Sequence, residues 1–141
     1  MREGMAEAQP GIVLGFDFGT RRIGVALGNE VTRSARALGI IKQHVATVRW
    51  RELAALIEQW QPRQLVVGVA RHGDGTAHEM TARCERFARQ LRGRFRVPVA
   101  LVDERYSSAV LPRRGQRTAS DDEAAALILQ QWFDEAAAPA C

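Results

Sequence analysis

The 141-residue sequence has little lysine, two cysteines and no long apolar run. Cys84 and Cys141 form neither a disulfide framework nor a Cys-x-x-Cys motif. No segment reaches the roughly 18 consecutive apolar residues of a membrane-spanning helix, and the acidic start lacks the apolar run of a signal peptide. The three histidines show no zinc-site spacing with each other or with Cys84. We therefore expect a soluble cytoplasmic protein that does not act at a membrane.

The composition is that of a globular domain. It is 46% hydrophobic and 26% charged, which excludes wholesale disorder and fibrous structure. The length suits one domain of ordinary size, and no repeat or linker divides the chain. We predict a disordered leader over residues 1–10, a single domain over 11–135 and a flexible tail over 136–141.

The basic residues are almost all arginine. Lys42 is the only lysine among twenty basic residues, and the net charge is +4. This balance permits a polyanionic partner, although a GC-rich genome also explains the arginines. Four of them, Arg83, Arg86, Arg89 and Arg92, recur at every third position. We interpret this row as a solvated surface that faces Glu79 and Glu85. The alternative is that the row contacts nucleic acid.

The hydrophobic pattern predicts five strands and three helices. The strands are expected near residues 12–17, 23–28, 37–41, 64–70 and 97–102, and the helices near 50–60, 76–91 and 120–133. Thr76 is the expected N-cap of the second helix, Gly93 its end, and Ser120 with Glu123 a capping box for the third. The tryptophans fall on apolar stripes and are expected in the core. The fold class is α/β: a mixed five-stranded sheet, with a three-strand antiparallel meander and two parallel strands, flanked by helices.

Acidic residues cluster where such a sheet places its ligands. Asp17 ends the first strand, Asp103 and Glu104 end the fifth, and Asp121 and Asp122 begin the last helix; the fourth strand opens into a Gly-Asp-Gly-Thr loop. The carboxyl ends of parallel strands meet at one edge of the sheet. Neighbouring carboxylates repel one another unless cations lie between them, and oxygen ligands select Mg²⁺ or Mn²⁺. The sequence therefore predicts a divalent-metal site.

Each acid also has a structural explanation. Asp103 and Glu104 are adjacent, so strand alternation sends them to opposite faces, and one of them can simply pair with an arginine. Asp121 and Asp122 suit a helix N-terminus because they offset the helix macrodipole. Asp122 shares the helical stripe that faces the sheet, but Asp121 lies near the boundary of that stripe, so the stripe alone does not separate the two acids.

Five blocks of sequence, in order, resemble the YqgF family, also called RuvX. They are Gly15-Phe16-Asp17-Phe18-Gly19-Thr20-Arg21-Arg22-Ile23-Gly24-Val25-Ala26, Val66-Val67-Gly68, Asp74-Gly75-Thr76, Val102-Asp103-Glu104-Arg105, and Asp122 through Gln130. The resemblance covers nearly everything from Gly11 to Phe133. It implies an RNase H-like fold related to the Holliday junction resolvase RuvC, and nuclease activity at the 5′ end of precursor 16S ribosomal RNA.

The same resemblance implies roles for individual residues. Asp17, Glu104 and Asp122 would form the catalytic set and, with Asp103 as a less certain neighbour, would hold one or two Mg²⁺ or Mn²⁺ ions. Thr20, Arg21 and Arg105 would contact the phosphate backbone of the substrate. The implied partners are precursor ribosomal RNA, ribosomal particles or branched DNA, bound by a monomer or a homodimer.

Three other functions remain open from the sequence. Cleavage of branched DNA would use the same catalytic residues. A nucleic-acid-binding or ribosome-assembly factor would have the fold with little catalysis, its acids holding a structural ion. An ATP-binding phosphotransferase of the actin and sugar-kinase class shares Asp17-Phe18-Gly19-Thr20, but it needs a cleft between two such domains.

Overall fold

The computed structural model describes residues 11–43, 45–72, 74–106 and 120–137, and for residues 105, 106, 136 and 137 it describes the backbone. The predicted leader, residues 138–141 of the predicted tail, and His44 lie outside the described residues. The strands are β1 (Ile12–Phe18), β2 (Arg22–Asn29), β3 (Ser34–Lys42), β4 (Gln64–His72) and β5 (Val99–Tyr106). The helices are α1 (Ala46–Trp60), α2 (Thr81–Phe95) and α3 (Asp121–Ala137). None of the helices in these residues is long and apolar enough to cross a membrane.

The five strands form one mixed sheet in the order β3-β2-β1-β4-β5. β1 pairs antiparallel with β2, and β2 pairs antiparallel with β3, as expected for a meander joined by short turns. β4 pairs parallel with β1, and β5 pairs parallel with β4. The predicted fold class is therefore confirmed, including the division into a meander and two parallel strands.

Apolar residues fill both faces of the central strands, which explains their unbroken hydrophobic runs. On one face Leu14 and Phe16 of β1 are fully buried and belong to the cluster packed under α1 and α2, together with Trp50 and Phe87. On the other face Val13 belongs to a cluster built around α3. Burying each such side chain contributes about 1.5–3 kcal/mol. The core thus has two layers, and the tryptophans pack against them as predicted.

Glycines on the second face let α3 lie close to the sheet. A Cβ atom at Gly28 would lie 2.7 Å from Leu129 Cδ2, and one at Gly68 would lie 2.5 Å from Ile128 Cδ1. A side chain at either position would force Leu129 or Ile128 to shift. The glycines therefore leave room for the apolar side chains of α3 that pack on the sheet.

The second helix differs from its predicted boundaries at both ends. Thr76 does not cap it: the Thr76 hydroxyl and backbone N–H both donate to Asp74 Oδ1, at 2.7 and 3.0 Å. The next residue, Ala77, forms a bridge with Arg71 of β4, so the chain remains extended and α2 begins at Thr81. Gly93 does not end the helix. It continues to Phe95, and Arg96 takes the left-handed conformation that closes it.

Candidate active site

Asp17 lies near the carboxyl end of β1, where alternation along the strand turns it toward the same face as Val13 and Gly15. Its backbone is opposite Gly24 of β2. Burial raises the pKa of the Asp17 carboxyl from 3.8 to about 6, and the charge of Asp121 adds to the rise. A buried acid beside a second acid is the arrangement that favours either a proton or a cation between them.

The adjacent acids of β5 point in different directions, as predicted from strand alternation. Asp103 Oδ1 accepts a hydrogen bond from Arg71 Nε at 2.9 Å. Glu104 lies on the α3 side, where its Oε1 would be 3.2 Å from a Cβ atom at Gly68. Asp103 is therefore the one that pairs with an arginine, and Glu104 is the one that reaches the acidic cavity.

The first turn of α3 brings Asp121, rather than Asp122, to that cavity. Asp121 Oδ2 accepts a hydrogen bond from Arg22 Nε at 2.6 Å. Asp122 Oδ1 instead accepts from the Ser120 hydroxyl at 2.6 Å and from the Glu123 backbone N–H at 3.0 Å.

Asp121 and Asp122, which the helical stripe alone did not separate, therefore have different surroundings, and the role of Asp122 in the site stays a prediction. The carboxylate of Asp122 is bonded within the helix terminus, satisfying one of its unpaired N–H groups. The reciprocal half of the predicted capping box does form, with the Ser120 N–H donating to Glu123 Oε1 at 3.1 Å.

One cavity of about 260 Å³ collects these groups at the carboxyl edge of the parallel strands. The described residues that line it are Asp17, Phe18, Gly19, Thr20, Ala70, His78, Met80, Cys84, Glu104 and Asp121. Three carboxylates from three distant parts of the chain therefore meet in one cavity, as the topology argument predicted. Asp103 and Asp122 are not among its described lining residues, and neither is Asp74, which is exposed and bonded to Thr76.

The β1–β2 turn carries the predicted substrate-binding residues. Thr20 lines the acidic cavity and also an adjoining cavity of about 200 Å³, which Arg21, Arg22 and Asp121 line as well. Arg22 was missed by the sequence reasoning. The available signal was its position two residues before Gly24, which puts both on one face of β2. The side chain of Arg105 lies outside the described residues, so its predicted role stays a prediction.

Hydrogen bonds from Gln43 hold this turn in place. The Gln43 backbone N–H donates to the Arg21 carbonyl at 2.8 Å, and its side-chain amide donates to the Gly19 carbonyl. Arg49 of α1 in turn donates to the side-chain oxygen of Gln43. A Cβ atom at Gly19 would lie 2.9 Å from the Arg22 carbonyl oxygen, so the turn is too tight for a side chain there. The rim of the cavity is therefore supported from α1.

Two further lining residues, His78 and Cys84, were not expected at the site. His78 Nδ1 accepts a hydrogen bond from the Met80 N–H at 3.0 Å, and the ring of His72 lies 5.0 Å from that of His78. Burial raises the pKa of the Cys84 thiol, and the charges of Asp17 and Glu104 act in the same direction. A thiol held in its neutral form is a poor nucleophile, which argues against cysteine chemistry.

The three carboxylates of the cavity suit a hard divalent cation, and Cys84, whose raised pKa keeps it a neutral thiol, adds no thiolate to them. Within the described ranges, no three His, Cys, Asp or Glu side chains stand close enough to hold an ion as they are placed. Burial, together with the charge of Asp121, raises the pKa of Asp17, so a cation at this carboxylate would compete with a proton. The residues of the cavity fit the chemistry of a divalent cation. Binding of such an ion would require the three carboxylates to move closer together.

Comparison with known proteins identifies the family to which the chain belongs. The sequence model of the RuvX family, described as Holliday junction resolvase, matches residues 11–135. A protein of Nitrosomonas europaea named "Putative pre-16S rRNA nuclease" is 49% identical over 139 residues, which cover 92% of this chain and 94% of that relative. A protein of the same name from Polynucleobacter necessarius is 48% identical over 136 residues, covering 96% and 92%.

Among solved structures, Thermus thermophilus RuvC in complex with a Holliday junction substrate superimposes with a TM-score of 0.53. The two are 16% identical, and the match covers 89% of this chain and 95% of RuvC. At that identity the likeness establishes the fold, which is RNase H-like. The family match spans the whole sheet, α1, α2, all but the last two residues of α3 and every acid of the cavity, and the chain belongs to the RuvX family.

Proposed function

We propose that this protein is a divalent-metal-dependent nuclease that hydrolyses phosphodiester bonds in precursor 16S ribosomal RNA. The observation that carries the proposal is the meeting of Asp17, Glu104 and Asp121 in one cavity at the carboxyl edge of the sheet. The names of the relatives that match over almost their whole length support the choice of substrate. That substrate places the activity in the cytoplasm, on precursor RNA alone or within an assembling ribosomal particle.

Asp17, Glu104 and Asp121 are the residues that would hold Mg²⁺ or Mn²⁺. When bound, such an ion supplies an activated water and neutralises the charge that develops on the phosphate. The Asp17 carboxyl gains its negative charge as the pH rises through about 6, because its pKa is raised to that value. Arg22 holds the Asp121 carboxylate at 2.6 Å and thereby orients it at the mouth of the cavity.

The β1–β2 turn is the proposed contact for the substrate backbone. Thr20 lines both the acidic cavity and the adjoining one, and Arg21 lines the adjoining one, where a phosphate flanking the reacting phosphodiester would pass. The Arg21 guanidinium suits bidentate contact with phosphate oxygens. Gln43 fixes the backbone of the turn, so both side chains start from a set position. Arg105 remains a predicted third contact.

Branched DNA is the second candidate substrate. The description of the family model as Holliday junction resolvase favours it. Both substrates would use the same three acids, and symmetric cutting of a junction would additionally require a homodimer. The phosphotransferase alternative is disfavoured, since the described residues form one sheet and leave no cleft between two domains.

The test is cleavage of an end-labelled precursor 16S RNA fragment and a four-way DNA junction, side by side, with Mg²⁺, Mn²⁺ or EDTA. Wild type is compared with Asp17→Asn and with Asp103→Asn, a matched change of an acid that pairs with Arg71 instead of lining the cavity. We expect metal-dependent cutting of the RNA by wild type and Asp103→Asn, and none by Asp17→Asn. Cutting of the junction alone would mean that branched DNA, and not precursor RNA, is the substrate. Binding of either nucleic acid without cutting would contradict the nuclease proposal and favour an assembly factor.

A further inference from the structure

Helix α2 carries the whole net charge of the protein. Five arginines and one glutamate, Glu85, lie within Thr81–Phe95, which gives the helix a net charge of +4. The net charge of the 141 residues is also +4, so the rest of the chain is balanced. Four of these arginines, Arg83, Arg86, Arg89 and Arg92, form what we call the α2 arginine row. All four are exposed.

The expected acidic partners do not neutralise this row. Glu85 lies 3.5 Å from Arg71 Nη2, on β4. Among the described residues, no carboxylate lies within ion-pair distance of any member of the row. Arg94, the fifth arginine of the helix, stacks on Trp50 at 4.1 Å and is thus engaged on the packed side. The row is exposed, as a solvated face requires, but among the described residues neither Glu79 nor Glu85 forms an ion pair with it.

The row begins beside the acidic cavity and leads away from it. Met80 and Cys84, at the start of α2, line the cavity, and Arg83 Nη1 lies 3.9 Å from Met80 Sδ. From there successive members are three residues apart, so each is a neighbour of the next, turned by about 60° around the helix, and the row winds across the exposed side of α2. At about 1.5 Å per residue, the nine steps from Arg83 to Arg92 rise about 14 Å along the helix axis. That length matches about four nucleotides at the 3.4 Å spacing of a stacked strand.

We propose that the α2 arginine row binds the sugar-phosphate backbone of the RNA strand that continues from the active site. This inference rests on the proposed nuclease function, since it places the reacting phosphate in the acidic cavity. Guanidinium groups contact phosphate oxygens bidentately, and each contact releases counterions from the strand. Between Arg83 and Arg92 the exposed residues are the arginines themselves, and the exposed residues that flank the row, Ala82 and Gly93, offer no aromatic ring for a base to stack on. The contact is therefore independent of sequence and governed by salt.

The test compares two double variants that remove the same charge. Arg86→Gln with Arg89→Gln changes the middle of the row. Arg36→Gln with Arg51→Gln changes two exposed arginines of β3 and α1 and lowers the net charge equally, from +4 to +2. Binding of a labelled precursor 16S RNA fragment is measured in EDTA from about 50 to 200 mM salt, a range over which phosphate contacts dominate the change in affinity. Thermal unfolding confirms that both variants are folded.

We expect the row variant to bind several-fold more weakly and to lower the slope of log K against log salt by about 1.4, which is about 0.7 for each lost phosphate contact on a single strand. The control variant should keep the wild-type slope. Equal loss in both variants would mean that net charge alone matters, and a wild-type slope in the row variant would mean that the row does not contact RNA. Either result overturns the inference.

Cleavage with Mg²⁺ separates this inference from the proposed function. The row variant should cut more slowly than wild type when RNA is limiting and at the wild-type rate when RNA is saturating. If wild type cuts RNA and the two double variants behave alike, the row proposal fails and the nuclease proposal stands. If wild type cuts nothing while the slopes differ as expected, the nuclease proposal fails. The row would then bind RNA, but the bound strand would not lead to a phosphate that reacts in the acidic cavity.

Discussion

The backbone carbonyl oxygen of Asp121 packs closely against Gly24. An ideal Cβ atom built at residue 24 would lie 1.9 Å from that oxygen and 2.9 Å from the Asp122 nitrogen. Real Cβ atoms do not approach so closely, so the first turn of α3 can reach β2 because residue 24 has no side chain. This contact brings the Asp121 carboxylate to the cavity that holds Asp17, which lies opposite Gly24 in the sheet.

Gly24→Ala should therefore damage the active site and the fold together. The added methyl group must displace backbone atoms of α3, and overpacking of this kind costs about 1–3 kcal/mol. We expect urea unfolding to show that loss of stability, and we expect RNA cleavage to fall because Asp121 moves away from Asp17. Gly39→Ala is the matched control, since a Cβ atom at Gly39 of β3 meets nothing within 4 Å. A Gly24→Ala protein with wild-type stability and activity would contradict the proposed role of the contact.

The two acids of the first turn of α3 should differ in their importance for cleavage. Asp121→Asn removes a charge from the cavity and weakens the hold of Arg22, so we expect loss of nearly all activity. Asp122→Asn keeps the Oδ1 acceptor that bonds the Ser120 hydroxyl and the Glu123 N–H, so we expect activity close to wild type. Metal-dependent cleavage by the two variants, measured at equal protein concentration, checks this. The opposite order would support the sequence-based assignment of Asp122.

The fold was predictable because its signals are local. Continuous apolar runs marked β1, β4 and β5, and the short turn after Gly19 required β1 and β2 to be antiparallel. The position of α2 was misjudged because Thr76 is also a good turn residue. Thr76 donates hydrogen bonds to Asp74, and Ala77 forms a bridge with Arg71. A helix-capping pattern in the sequence does not reveal these interactions.

The site was predictable to the level of strand ends, but not to the level of individual acids at the helix. Alternation along β5 correctly separated Asp103 from Glu104, because a strand has a strict period of two. A helix terminus has no such constraint. Which of Asp121 and Asp122 faces the cavity depends on where the first turn meets Gly24, and that contact is formed between residues almost a hundred positions apart.

Asp17 should make the stability of the metal-free protein depend on pH. Its pKa is about 6 in the folded protein against 3.8 ordinarily, so between these values the folded state binds the proton more tightly than the unfolded state. The free energy of unfolding should therefore fall as pH rises from about 4 to 6 and show no further change from this group above that range. The shift of about two units corresponds to about 3 kcal/mol.

Asp17→Asn should abolish this dependence. The variant has no charge to bury, so at pH 7.5 in EDTA it should be more stable than wild type by about 1–3 kcal/mol, with the difference disappearing near pH 4. Urea unfolding at several pH values measures both effects. Asp134→Asn, at an exposed position of α3, is the control and should follow wild type throughout. If Asp17→Asn lost stability at pH 7.5, burial of an uncompensated charge would be the wrong account of this residue.

Divalent cations should stabilise the wild-type protein through the same carboxylates. An ion that binds the folded state alone adds about 2.7 kcal/mol at a concentration one hundred times its Kd, so Mn²⁺ or Mg²⁺ should raise Tm. Glu104→Gln should lose most of this rise because Glu104 lines the cavity, whereas Asp103→Asn should keep it because Asp103 pairs with Arg71. The rise should shrink below pH 6, where a proton on Asp17 competes with the ion. A metal-induced rise in Tm that Asp103→Asn removes and Glu104→Gln preserves would place the ion on the opposite face of β5, outside the proposed site.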